Sequence, residues 1–123
     1  MSDKKRILIV DDEQPIADLI GDFCVLLGFE TRILNGGEDI LEEVKAFRPD
    51  LITMDLVMPE LSGLEVIEML KADPETKNIP IVVVSAFVGS SSAEDILSHC
   101  RGILAKPLHV HELKEKIDAV LKG

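Results

Sequence analysis

Leu51-Ile52-Thr53-Met54-Asp55-Leu56-Val57-Met58-Pro59 is a short apolar run that ends on one acid and then breaks at a proline. It predicts a buried strand that delivers a carboxylate to the edge of a sheet. An acid placed there loses hydration, so the position is seldom accidental. Three other stretches end in a similar way. Ile7-Leu8-Ile9-Val10 runs into Asp11-Asp12, Ile81-Val82-Val83-Val84 runs into Ser85, and Ile103-Leu104-Ala105 runs into Lys106-Pro107. In an open parallel sheet the carboxyl ends of the strands line one crevice, where ligands bind. Three acids, a hydroxyl and an amine are therefore expected to converge.

Outward from this stretch the chain alternates strand and helix. Arg6 to Val10 is the first strand, and Pro15 suits the first turn of the helix after it. Ile16, Leu19, Ile20, Phe23, Cys24 and Leu27 recur there at helical spacing, with Gly28 as the stop. Phe29 to Leu34 is expected as strand two. A helix carrying Ile40, Leu41, Val44 and Phe47 follows and ends at Pro49. After the Asp55 loop, Ser62 and Glu65 have capping-box spacing ahead of Val66, Ile67 and Leu70. Strand four is expected over Ile79 to Val84, with Pro80 only at its start. Gly89-Ser90-Ser91-Ser92 reads as a flexible loop, and Ser91 and Glu94 as a second capping pair for a short helix. Gly102 to Ala105 is strand five. Val110, Leu113, Ile117, Val120 and Leu121 mark the face of a last helix. Five βα units with continuously apolar central strands predict an α/β fold with helices on both faces of a parallel sheet.

The 123 residues suit one domain with one core, over residues 1–123 and with no effector domain. Lys+Arg 13 against Asp+Glu 23 gives a net charge of -10, which disfavours nucleic acid as a partner. The charge fits a monomer or weak dimer with protein partners. The charged N-terminus precedes too short an apolar run for a signal peptide or a spanning helix, so a cytoplasmic protein without membrane insertion is expected. Cys24 and Cys100 make no disulfide framework and read as inert core thiols.

The chemistry of the strand ends can be argued directly. Three carboxylates in one crevice repel each other unless a cation sits among them. Oxygen ligands without nearby Cys or His favour a hard ion such as Mg²⁺. A carboxylate can attack a phosphoryl group to form an aspartyl-phosphate. The arriving charge then needs a metal, an ammonium and a hydroxyl. Each piece alone has a plainer reading. Asp11-Asp12 could cap a helix, Asp55 could begin a turn, Ser85 could cap a helix and Lys106 could be solvated. Coincidence at four strand ends is the weaker explanation. His109 and His111 do not share a helix face, and neither they nor His99 receive a role.

Asp11-Asp12, Asp55, Met58-Pro59 with Gly63, Ser85-Ala86 and Lys106-Pro107, in this order, resemble the receiver domain of two-component response regulators of the stand-alone chemotaxis type. The resemblance spans essentially the whole chain. It implies a flavodoxin-like (βα)5 fold with a five-stranded sheet in the order 2-1-3-4-5. It also implies that Asp55 accepts a phosphoryl group from a histidine kinase or a histidine phosphotransfer protein. Asp11, Asp12, Asp55 and the backbone carbonyl of Val57 would hold Mg²⁺, Asp12 directly or through water. Lys106 and Ser85 would contact the phosphoryl oxygens, and the Lys106-Pro107 peptide would be cis. Such a domain is a signalling module that promotes only its own phosphorylation and dephosphorylation, and its downstream protein is not named by the sequence.

Three positions depart from the family pattern. Ile103 stands where a switch aromatic is usual, so Ser85 would move without the aromatic relay. Val57 and Phe87, both apolar, flank the site where many relatives have polar groups. The alternative is a pseudo-receiver, an interaction module not regulated by phosphorylation; such proteins generally lose an acid that this chain keeps. Haloacid-dehalogenase-type phosphatases need a second Asp at the position of Val57. A flavodoxin's flavin phosphate would be repelled by Asp11-Asp12-Glu13.

Overall fold

The computed structural model describes residues 4–36, 39–58, 62–86 and 98–122. Nine elements follow in chain order among them: β1 (Arg6–Val10), α1 (Gln14–Leu26), β2 (Glu30–Leu34), α2 (Ile40–Phe47), β3 (Leu51–Met54), α3 (Gly63–Ala72), β4 (Ile81–Ser85), β5 (Gly102–Ala105) and α4 (Val110–Lys122). The strands form one parallel sheet in the order β2-β1-β3-β4-β5. The chain leaves β1 in one direction for β2 and resumes on its other side with β3. The loops after β1 and β3 therefore diverge at a switch in strand order, where open α/β sheets form their crevice.

Strands β1, β3 and β4 are buried along most of their length because helices cover both faces. One face packs Leu8, Val10, Ile52, Met54 and Val83 against Val44 of α2 and Ile67 and Leu70 of α3. The other packs Ile7, Ile9, Leu51, Val82 and Val84 against Ile20 of α1 and Leu113 and Ile117 of α4. Side chains alternate between faces along a strand, so these two sets interleave. Cys24 lies in the second core, and burial pushes its thiol up to about 12. Cys100 is partly buried, with its thiol at about 11 for the same reason.

The structure adjusts several sequence expectations. The buried stripe of α1 is Ala17, Ile20, Gly21 and Cys24, whereas Leu19 is 42% exposed. The helix turns its smallest residue to the sheet: a Cβ on Gly21 would meet Ile33 Cδ1 at 3.2 Å and Ile9 Cδ1 at 3.6 Å. Gly28, at φ +97°, does end this segment in a conformation suited to glycine. At the end of α2, Arg48 takes the left-handed turn at φ 55°, one residue before Pro49. β4 begins after Pro80, which has no N–H for the ladder, and extends to Ser85. Ser62 Oγ caps α3 by accepting from Leu64 N at 3.2 Å. The Gly89 to Ser92 loop, the Ser91/Glu94 capping pair and Phe87 lie outside the described residues.

Candidate functional site

Strand register brings the acids together. Val10 pairs with Met54, so the residues that follow them, Asp11 and Asp55, leave the sheet side by side. Asp55 N donates to Val10 O at 2.9 Å, and Asp11 N donates to Leu34 O at 3.0 Å. Both carboxylates start from backbone that the sheet already fixes. Asp11 is 1% exposed and Asp55 3%.

Local hydrogen bonds then aim the side chains. Asp11 Oδ1 accepts from Glu13 N at 2.9 Å, a turn that starts α1. Asp55 Oδ1 accepts from Val57 N at 3.3 Å. Asn35 Nδ2 donates to Asp11 O at 3.1 Å and ties the end of β2 to the same loop. Gly63 N donates to Leu56 O at 2.9 Å, holding the Asp55 loop to the start of α3.

Lys106 enters from the end of β5. Its backbone N donates to Ser85 O at 3.1 Å, and the Lys106–Pro107 peptide is cis. Its Nζ lies 2.6 Å from Glu13 Oε1, 3.2 Å from Asp11 Oδ2 and 3.5 Å from Asp55 Oδ2. Ser85 is fully buried at the end of β4. Asp12, Glu13, Asp55, Val57, Ser85, Ala86 and Lys106 line a cleft of about 240 Å³. Ile103 stands apart from it, partly buried against the core on the α2 and α3 side.

Burial first, and crowding of like charge second, set the electrostatics. One oxygen each of Asp11, Asp12 and Asp55 lie within 4.8 Å of one another. Burial, followed by the charge of Asp11, pushes the Asp55 carboxyl up to about 6, against the pull of Lys106. Burial also raises Asp11. Burial alone would lower the Lys106 ammonium, but Glu13, Asp11 and Asp55 reverse this and raise it. Asp12 Oδ1 is buried and accepts no hydrogen bond, and buried Asp11 Oδ2 is met by the Lys106 ammonium at 3.2 Å. The donor set is all oxygen, its charge is in excess, and one buried oxygen, Asp12 Oδ1, lacks a donor. That combination fits a hard divalent cation such as Mg²⁺.

Of the residues singled out at the strand ends, Asp12, Asp55, Ser85 and Lys106 line this one cleft, Asp11 lies buried beside it with Oδ2 3.2 Å from Lys106 Nζ, and Val57 is at its rim, 54% exposed. Two neighbours escaped the sequence reading. Glu13 was visible as a third consecutive acid, but its reach to Lys106 depends on the path of the loop. Asn35 is a single polar residue after the apolar end of β2, and no motif marks it.

A five-stranded sheet of this order with three acids and a lysine at its carboxyl edge defines a receiver. The chain belongs to the response regulator receiver domain family, whose pattern matches residues 7–118. It is similar to the polar-differentiation response regulator DivK of Brucella anthropi, 36% identical over 118 residues that cover 95% of this chain and 96% of that protein. DivK of Brucella ovis has the same identity and coverage. Among solved structures, a CheY-like response regulator receiver domain protein from Methanospirillum hungatei superposes with a TM-score of 0.87 at 26% identity, covering 97% of this chain and 94% of that one. Chemotaxis protein CheY4 of Vibrio cholerae shares the fold, with a TM-score of 0.89 at 23% identity over 96% and 99% of the two chains.

Proposed function

We propose that this receiver is phosphorylated on Asp55 and signals through the resulting change in its surface. The observation that carries this reading is the placement of Asp55: a buried carboxylate beside two further acids, with an ammonium 3.5 Å away. An Asp55 oxygen would attack phosphorus of a phosphohistidine, forming a P–O bond as the P–N bond breaks and imidazole leaves. The donor is a histidine kinase or a histidine phosphotransfer protein. Lys106 and Ser85 would take phosphoryl oxygens, because both line the cleft that holds Asp55.

Asp11, Asp12, Asp55 and the carbonyl of Val57 would hold Mg²⁺. Bound there, the ion neutralises charge on the acids and on the transferring group. The chain's own residues do the rest. The turn at Glu13 N fixes Asp11, Val57 N orients Asp55, and the sheet sets their spacing.

Output is a protein contact or onward phosphotransfer. The net charge of -10 supports protein rather than nucleic-acid partners. No described helix is long and apolar enough to cross a membrane. A cytoplasmic monomer or weak dimer, built as a single receiver unit, fits this reading. The test is incubation with acetyl phosphate, with and without Mg²⁺, followed by intact-mass measurement. Metal-dependent incorporation is expected. No incorporation from acetyl phosphate or from any kinase would make the chain a pseudo-receiver.

A further inference from the structure

The backbone N of Glu13 holds Asp11. Its carboxylate has none of the roles assigned above, yet it makes the shortest contact to Lys106, at 2.6 Å. A lysine ammonium has three donors. Three carboxylates, of Glu13, Asp11 and Asp55, surround this one. A phosphoryl oxygen on Asp55 must compete with them for Lys106, whose hydrogen bond in the resting protein goes to Glu13 Oε1. Asp11 and Asp55 are buried, and each is also held by a backbone N–H. Glu13 is different: its side chain is 56% exposed. Although it is the N-cap residue of α1, its carboxylate makes no capping hydrogen bond. Its carboxylate is already half solvated, so it can swing into water with little loss of its own.

We propose that Glu13 is a positioning residue: a displaceable counter-ion that holds Lys106 in the resting protein and yields it to the phosphoryl group. This rests on the phosphoacceptor reading of Asp55. Glu13 draws the ammonium toward the rim of the cleft in the resting state. An incoming phosphoryl group brings about -1.5 to -2 charges, outcompetes one carboxylate and repels it. Exchange of Glu13 for phosphoryl oxygen then makes Lys106 part of the switch, and Glu13 sets how readily it moves.

The test uses the full chain with Glu13→Gln, which keeps the shape and removes the charge, and Glu13→Asp, which restores charge. With beryllofluoride as the phosphoryl mimic at saturating Mg²⁺, calorimetry is expected to give about fivefold tighter binding for Glu13→Gln, the size of one exposed charge pair. Glu13→Asp is expected to return toward the parent. In the resting crystal structure of Glu13→Gln, Lys106 Nζ is expected to close from 3.5 Å to hydrogen-bond distance of Asp55. Unchanged or weaker beryllofluoride binding by Glu13→Gln, or a Lys106 that keeps its resting position, would overturn the proposal. Failure of the parent itself to bind the mimic would instead count against the phosphoacceptor reading. The resting position of Lys106 would still decide the role of Glu13.

Discussion

Gly63 rests directly on the backbone of the Asp55 loop. A Cβ at Gly63 would stand 2.7 Å from Leu56 Cα and closer still to the carbonyl oxygen of Asp55. Neither neighbour is a flexible side chain, so one of the two backbones would have to move. The glycine thus lets the first turn of α3 lie against the loop that presents Asp55.

Gly63→Ala is therefore expected to destabilise the fold by about 1–3 kcal/mol, the usual range for overpacking. Urea unfolding followed by circular dichroism would measure it. The shifted Asp55 loop should also slow labelling by acetyl phosphate. Parent-like stability would show that the loop yields without loss.

Thr53 gives a prediction of opposite sign. Its hydroxyl is buried in β3 without a hydrogen-bond partner. Such a group loses hydration and gains nothing in return. Thr53→Val keeps the branched shape and suits a buried strand. A stability gain of about 1 kcal/mol is expected by thermal or urea unfolding. A clear loss would mean that the hydroxyl has a partner in solution, such as a buried water.

The acid cluster makes stability depend on pH. Burial and Asp11 raise the folded carboxyl of Asp55 from 3.8 to about 6. A raised folded value means that the native state binds the proton more tightly than the unfolded chain does. The associated stability is complete below about pH 4 and is lost as pH rises through about 6. Asp55→Asn removes the charge at every pH. In EDTA it should match the parent near pH 4 and exceed it by about 1–3 kcal/mol at pH 7. Added Mg²⁺ should narrow the gap by stabilising the parent. A gap that is constant with pH would contradict this electrostatic account.

Val57 bears on how long a phosphoryl group would persist. It is 54% exposed at the cleft rim and has no side-chain hydrogen-bonding group. Hydrolysis needs a water held in line with the Asp55 oxygen, and positioning supplies much of such catalysis. Val57→Asn should speed phosphoryl loss; a change of ~1.4 kcal/mol in the barrier would be about tenfold. Decay at the parent rate would show that apolar shielding by Val57 does not set the lifetime. Phe87, the other apolar flank in the sequence, lies outside the described residues.

The fold and the five strand-end residues of the site were legible because the signals are coarse. Apolar runs such as Ile7 to Val10 and Leu51 to Met54 stop abruptly at acids, and the parallel sheet puts those stops at one edge. What escaped depends on geometry finer than pattern. Leu19 has the right spacing for the core of α1, but the close approach of Gly21 rotates the helix and leaves Leu19 exposed. Pro80 delays β4 by removing a donor from the ladder. The Glu13 to Lys106 contact joins two loops far apart in sequence, and no periodicity reports it.

Phosphoryl transfer to the parent and to Asp55→Asn, side by side with Mg²⁺ and one phosphodonor, tests the central claim most directly. The parent should gain one phosphoryl group, and tandem mass spectrometry should place it on Asp55. Asp55→Asn, close in size but without the nucleophilic carboxylate, should gain none at this site. Undiminished labelling of Asp55→Asn would contradict the assignment of Asp55 as the acceptor.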